Sequence, residues 1–199
     1  MCNVMVLKTR EKLIEVARQL FAHKGIENTT MNDIANASEK GRRTIYTYFK
    51  NKKEIYNAVI EHESEHLVSK LREIVGLNIT PVEKLRRFFE IRFELIKDTS
   101  SGQNDSLKRF FMRDIKRGER IRRLALEKER ILLNEIIQEG ISQGFFDEQQ
   151  CKFLESTRIM LIQGVDFSYL REKYMEIGID ETKFTTEIIE FIINAIKRN

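Results

Sequence analysis

Proline occurs once, at Pro81, and tryptophan not at all, and only nine glycines punctuate 199 residues. A chain this poor in breakers, and rich in Leu, Ile, Glu, Lys and Arg, is predicted to be nearly all helix. The two cysteines, Cys2 and Cys151, are far apart and share no CxxC spacing. They predict no disulfide framework and read as inert thiols in a reducing cytosol. No apolar run approaches the roughly 18 residues of a spanning helix. The opening "MCNVMVLKTREK" has neither the apolar stretch nor the cleavage pattern of a signal peptide. A Gly-rich phosphate loop and a Ser/His/Asp or Cys/His constellation are also missing, so no cofactor is expected. These absences predict a soluble, cytoplasmic, all-α protein with no membrane partner.

What is present is unevenly charged. Charged residues make up 33% and hydrophobic ones 41%, enough to build a core. Through Lys53 there are 11 Lys/Arg against 5 Asp/Glu, and beyond it 24 against 26. A basic N-terminal quarter on a slightly acidic body suggests a polyanion-binding head.

The apolar periodicity predicts about nine helices. The first, from about Lys8, carries Leu13, Val16, Ala17, Leu20 and Phe21 on one face and stops at Gly25, where a left-handed cap is cheap. Thr30, with Asp33 three residues on, caps a second short helix, and "GRRTIYTYF" forms a third from about Arg42. Two short helices joined by a tight Gly-containing turn after a longer one form a helix-turn-helix, residues 1–53. A long fourth helix starts at Lys52. Thr80, Pro81 and Glu83 start a fifth to about Lys97, and "DTSSGQNDS" (98–106) reads as a loop. Two more helices follow with a bend near Gly118. Asp147 and Gln150 open another, and the last runs from about Glu181 to Lys197. Residues 54–199 are thus expected to form a larger helical body.

The segment "REKLIEVARQLFAHKGIENTTMNDIANASEKGRRTIYTYFKNKKEIY" (10–56) resembles the DNA-binding domain of TetR-family transcriptional repressors. The matching elements are A-x-x-L-F-x-x-x-G (Ala17–Gly25), T-T-M-x-D-I-A (Thr29–Ala35) and T-I-Y-x-Y-F-x-x-K (Thr44–Lys52). The turn departs from the family's A-G-V-S: Ser38-Glu39-Lys40-Gly41 stands there, with the glycine two places later. Arg43 stands where the family often has glycine. The resemblance implies a homodimer on double-stranded DNA with a near-palindromic operator, released by a small-molecule effector.

The residue chemistry agrees. Arg42 and Arg43, at the start of the third helix, match the paired acceptors of guanine. Thr30 at a helix start suits a phosphate oxygen. Thr44, Tyr46 and Tyr48 can donate to phosphates or pack on thymine methyls, the plainer reading of either tyrosine being core. Lys50 and Lys52 are candidate backbone clamps.

In the body, "EIIEFIINAI" offers Ile188, Ile189, Ile192, Ile193 and Ile196, and the preceding helix offers Leu161 and Val165. An isologous dimer through these two helices is the expected use, as in the family. Phe88, Phe89, Phe93, Phe110, Met112 and Phe167 are candidates to line an effector cavity, although aromatics at helical spacing are more often plain core.

One motif points elsewhere. His62-Glu63-Ser64-Glu65-His66 spells H-E-x-x-H, the arrangement of a zinc metallohydrolase. The extended form fails, because its glycine and third histidine fall on Ser69 and Arg72. His23 lies in the first helix, and Glu90 and Glu94 are the remaining third-ligand candidates. His62 and His66 are therefore only weak metal candidates and, on the helix leaving the head, candidates for effector sensing. A helical adaptor without DNA binding is the other competing class.

Overall fold

The computed structural model describes residues 2–100 and 119–198. Nine helices lie among them: α1 Cys2–Lys24, α2 Met31–Ala37, α3 Arg42–Tyr48, α4 Lys52–Val75, α5 Pro81–Ser100, α6 Glu119–Ser142, α7 Glu148–Leu170, α8 Lys173–Glu176 and α9 Glu181–Ile196. No strand occurs among the described residues; Phe146 and Lys197 form one isolated antiparallel bridge. No described helix is long and apolar enough to cross a membrane. Three boundaries differ from expectation, the first being α1, which starts at Cys2 where the sequence suggests about Lys8. The expected loop from Asp98 begins inside α5, which continues to Ser100, and a separate turn of helix, α8, follows Leu170. The rest of that loop, the bend at Gly118, and Phe110 and Met112 lie outside the described residues.

The chain divides into two compact units, Met1–His66 with Asp98–Leu126, and Leu67–Lys97 with Glu127–Asn199. In the first, Leu13, Ala17, Phe21, Ile34, Ile45, Phe49, Ile55 and Val59 form the core. Each lies on the apolar face of its own helix except Phe49, the extended residue that ends α3. Local chemistry sets the joints. Gly25 takes φ 79° to end α1. Thr29 is buried there, and its hydroxyl donates to the carbonyl of Gly25 at 2.8 Å.

The second unit has its own core, including Leu71, Leu85, Phe88, Leu132, Ile136, Phe146 and Ile196. Phe93, Tyr169, Tyr174 and Phe184 pack ring on ring, and the Tyr169 hydroxyl lies 2.9 Å from Glu181 Oε1. The C-terminus is held to the α6–α7 turn: Asp147 N–H donates to Ile196 and Arg198 N–H to Phe145, at 2.8 and 2.9 Å. Gly140 must lack a side chain, because a Cβ there would come within 2.1 Å of the Phe146 ring.

This core also contains a charged trio. Arg92 on α5 donates to Glu129 of α6 at 2.9 Å and to both oxygens of Asp166 of α7 at 2.5 and 2.7 Å, all three residues being buried. Burial alone would lower the guanidinium's pKa. The two carboxylates more than offset it and hold it above its ordinary value.

Candidate nucleic-acid interface and ligand cavity

Helix α3 is placed by a short, specific turn. The α2 end is closed by Lys40 N–H donating to Ala35 at 2.9 Å and Glu39 N–H to Asn36 at 3.0 Å. This geometry requires a left-handed residue, and Glu39 supplies it at φ 56°. The glycine missing from the usual turn is thus replaced in conformation by a glutamate, whose carboxylate takes Lys12 Nζ at 3.1 Å. Ser38 is fully buried, its hydroxyl on the Ala35 carbonyl at 2.9 Å. Gly41 begins α3 in extended conformation with no side-chain cap.

Ile45 and Phe49 anchor α3 to the core, which leaves Arg42, Arg43, Tyr46 and Thr47 exposed. The Arg42 guanidinium stacks 5.8 Å from the Tyr46 ring, pairing the two as one surface feature. Tyr48 is half-buried against the core, and Thr44 is half-buried. Thr47, which sequence reasoning passed over, lies one turn beyond Arg43, and its hydroxyl donates to the Arg43 carbonyl at 3.1 Å. Its period-4 relation to Arg43 was the available signal.

The flanking candidates are more committed. Thr30 is exposed, but its hydroxyl accepts from Asp33 N–H at 3.1 Å and lies 2.8 Å from the Asp33 carboxylate. The Thr30 N–H also donates to that carboxylate, and this bond holds Asp33 below its usual pKa. An ionised acid therefore stands where a phosphate was expected. Lys52 is engaged within the protomer: its ammonium donates to the carbonyls of Ile26 (2.7 Å) and Glu27 (3.4 Å), so it fastens the α1–α2 turn to the start of α4. Lys50 stays exposed; its backbone N–H donates to Glu54, which with Asn51 caps α4.

His62 and His66 are exposed on α4. His62 Nδ1 and Arg18 both lie 3.7 Å from the Glu63 carboxylate, so the glutamate of the H-E-x-x-H spelling is part of an ion pair with α1. Among the described residues no group of three His, Cys, Asp or Glu side chains converges as a metal ligand set.

In the second unit an apolar cleft is lined by Phe89, Phe93, Leu133, Ile162 and Ile192, with Arg92 and Arg158 among its walls. Phe89 and Phe93 are thus at the cleft. Phe88 is buried in the core, edge-on to Phe89, and Phe167 is half-exposed beneath the Arg171 guanidinium; neither lines this cleft. The dimer candidates divide: Ile189, Ile192, Ile193 and Ile196 are buried within their own protomer, while Leu161, Val165 and Ile188 line the cleft. The amphipathic stripe of α9 serves mainly the internal core. On α7 and α9 the exposed large apolar residues are Phe153, Met160, Leu161, Phe167 and Phe191; Leu124, Ile131, Phe145, Met175 and Ile177 are exposed elsewhere.

Residues 13–59 match the sequence model of the family described as bacterial regulatory proteins, tetR family. The chain is 26% identical over 140 residues to the HTH-type transcriptional repressor KstR2 of Mycolicibacterium smegmatis, covering 69% of this chain and 67% of that one. It is 38% identical over 90 residues to the "Probable acrEF/envCD operon repressor" of Escherichia coli, covering 45% of this chain but only 39% of the relative. The fold superimposes on the fatty acid degradation regulator FadR of Bacillus halodurans with a TM-score of 0.71, at 18% identity and over 92% and 94% of the two chains. The three-helix head, the exposed basic α3 and the shared fold give one conclusion: over residues 13–59 the chain carries a helix-turn-helix domain of the tetR family of bacterial regulatory proteins.

Proposed function

We propose that the protein is a homodimeric repressor that binds a near-palindromic operator and is released by a small-molecule effector. The observation that carries the DNA role is the placement of Arg42 and Arg43. Both lie in the first turn of α3, which has no acidic residue, and among the described residues neither makes an ion pair. Cations at a helix's positive end cost about 0.3–1 kcal/mol each. A local conflict of this kind marks a surface kept for a partner, and a guanidinium at the tip of an exposed recognition helix suits guanine in a major groove. Repression is supported by the names of KstR2 and of the Escherichia coli relative. Helix α4 runs unbroken from Lys52, at the head, to Val75 in the second unit. It is thus the natural path for an effector-driven population shift.

The test is fluorescence anisotropy on DNA from the promoter beside the protein's own gene, against random DNA of equal length. Arg42→Ala is expected to lower specific affinity by about 1–3 kcal/mol while leaving non-specific binding nearly unchanged. Equal losses on both DNAs would refute the base-reading role.

A further inference from the structure

Among the described residues two buried side-chain atoms have no hydrogen-bond partner, Asn57 Oδ1 in the first unit and Arg158 Nε on α7, and only Arg158 borders a cavity. Neighbouring Arg130, by contrast, pairs with Glu127 at 2.6 Å and Glu155 at 3.6 Å. Burial first, and then the like charge of Arg130, hold the Arg158 pKa below the ordinary guanidinium value. Glu127, Glu155 and Glu129 oppose that shift only in part. Native structures seldom keep a buried N–H unpaired without a use for it.

Its position suggests the use. Two voids of the second unit meet at Leu133, Leu154 and Arg158. One is the apolar cleft, in this state only about 20 Å³. The other is a cavity of about 280 Å³, lined by apolar Leu133, Ile137, Ile141 and Leu154, by the amides of Asn134 and Gln138, and by Glu148 and Glu155, whose carboxylates are held by Lys152 and Arg130. The other rim cations are occupied, Arg130 as above and Lys152 by Glu148 at 2.7 Å.

We infer that Arg158 anchors a small monocarboxylate with an apolar body, the carboxylate taking the Nε–H and adjacent Nη–H while the body lies on Leu133, Ile137, Ile141 and Leu154. The two parallel donors of a guanidinium edge match the two oxygens of a carboxylate. One unpaired cation neutralises one charge, and three glutamates within electrostatic reach disfavour the second charge of a phosphate. The inference rests on the effector-gated reading above and names the class of effector.

The test is calorimetric titration of the full-length protein with octanoate, 4-phenylbutyrate, octan-1-ol and octyl phosphate. At least one carboxylate is expected to bind saturably, one per protomer. Arg158→Gln is expected to weaken it at least tenfold, with Arg158→Lys in between because the charge remains and the fork is lost. Octan-1-ol is expected to bind weakly and alike in all three proteins, and thermal melts monitor folding of the variants. Unchanged carboxylate affinity in a folded Arg158→Gln, or no carboxylate binding by the parent, would overturn the site. Tighter binding of octyl phosphate would overturn the ligand class. Promoter-DNA anisotropy separates the two readings. Arg158-dependent binding that leaves DNA bound refutes effector release but keeps the site, whereas intact DNA binding with no carboxylate bound refutes the site alone.

Discussion

Glu39 is held at φ 56°, a conformation that costs a residue with a Cβ roughly 1–2 kcal/mol and glycine almost nothing. Its contact with Lys12 is solvent-exposed and screened, so it offsets little of that strain. Glu39→Gly is therefore expected to stabilise the protein by ~0.5–1 kcal/mol, read as a rise in the denaturation midpoint. An unchanged or lower midpoint would show that the Lys12 pair outweighs the strain. Cys151 offers a second test at this scale. Burial, aided by the nearby Asp147 charge, raises its thiol pKa to about 11 from 9.0. At pH 8 this leaves about two orders of magnitude less thiolate than in an exposed cysteine. In a Cys2→Ser background, iodoacetamide should modify native Cys151 about 100-fold more slowly than the guanidinium-unfolded chain, with the native rate climbing as pH approaches 11. Because the folded pKa is raised, the thiol's contribution to stability is complete below pH 9 and is lost as pH rises towards 11.

At the scale of the helices, what the sequence made legible is whatever is settled within one turn of chain. Thr30 with Asp33 and Asp147 with Gln150 cap α2 and α7 as expected, since a cap needs only its own neighbours. The apolar face of α1 and the glycine that ends it are equally local. What the sequence does not report is long-range. Lys52 is satisfied by carbonyls 25 and 26 residues away, and no periodicity reports that. The isoleucines of α9 are as suited to a partner protomer as to their own core, and only the packing of the second unit decides for the core. Arg92, Glu129 and Asp166 carry no sequence signal, because separations of 37 and 74 residues bring them together. This trio ties α5, α6 and α7 to one another. Removing one partner leaves a buried charge uncompensated, which costs about 3–5 kcal/mol. Asp166→Ala is expected to destabilise the protein by that amount in chemical denaturation, and a loss under about 1 kcal/mol would mean that water enters to replace the carboxylate.

For the molecule as a whole, the exposed apolar surface is the strongest argument about assembly. Phe153, Met160 and Phe167 recur every seven residues along α7, and Phe191 projects from α9, a helix that packs on it. Met160 is 78% exposed, Phe153 67% and Phe191 63%. Monomers rarely keep such a concentration of large apolar side chains in water. We propose an isologous pairing of these two helices, which would cover them and supply the twofold repeat that half-site recognition requires. The interface so proposed differs from the isoleucine stripe that the sequence suggested. It draws on residues whose removal leaves the protomer core intact. Met160→Asp combined with Phe191→Asp is therefore expected to give a folded species of 23.6 kDa by light scattering. Its far-UV spectrum should match the parent's, and its melting temperature should no longer depend on concentration. Operator affinity is expected to fall by about 10²-fold or more, because the second head loses its effective concentration beside the first. Charging Ile193, which is buried in the protomer, is expected instead to unfold the chain. A double variant that stays dimeric and binds DNA normally would move the interface to another face.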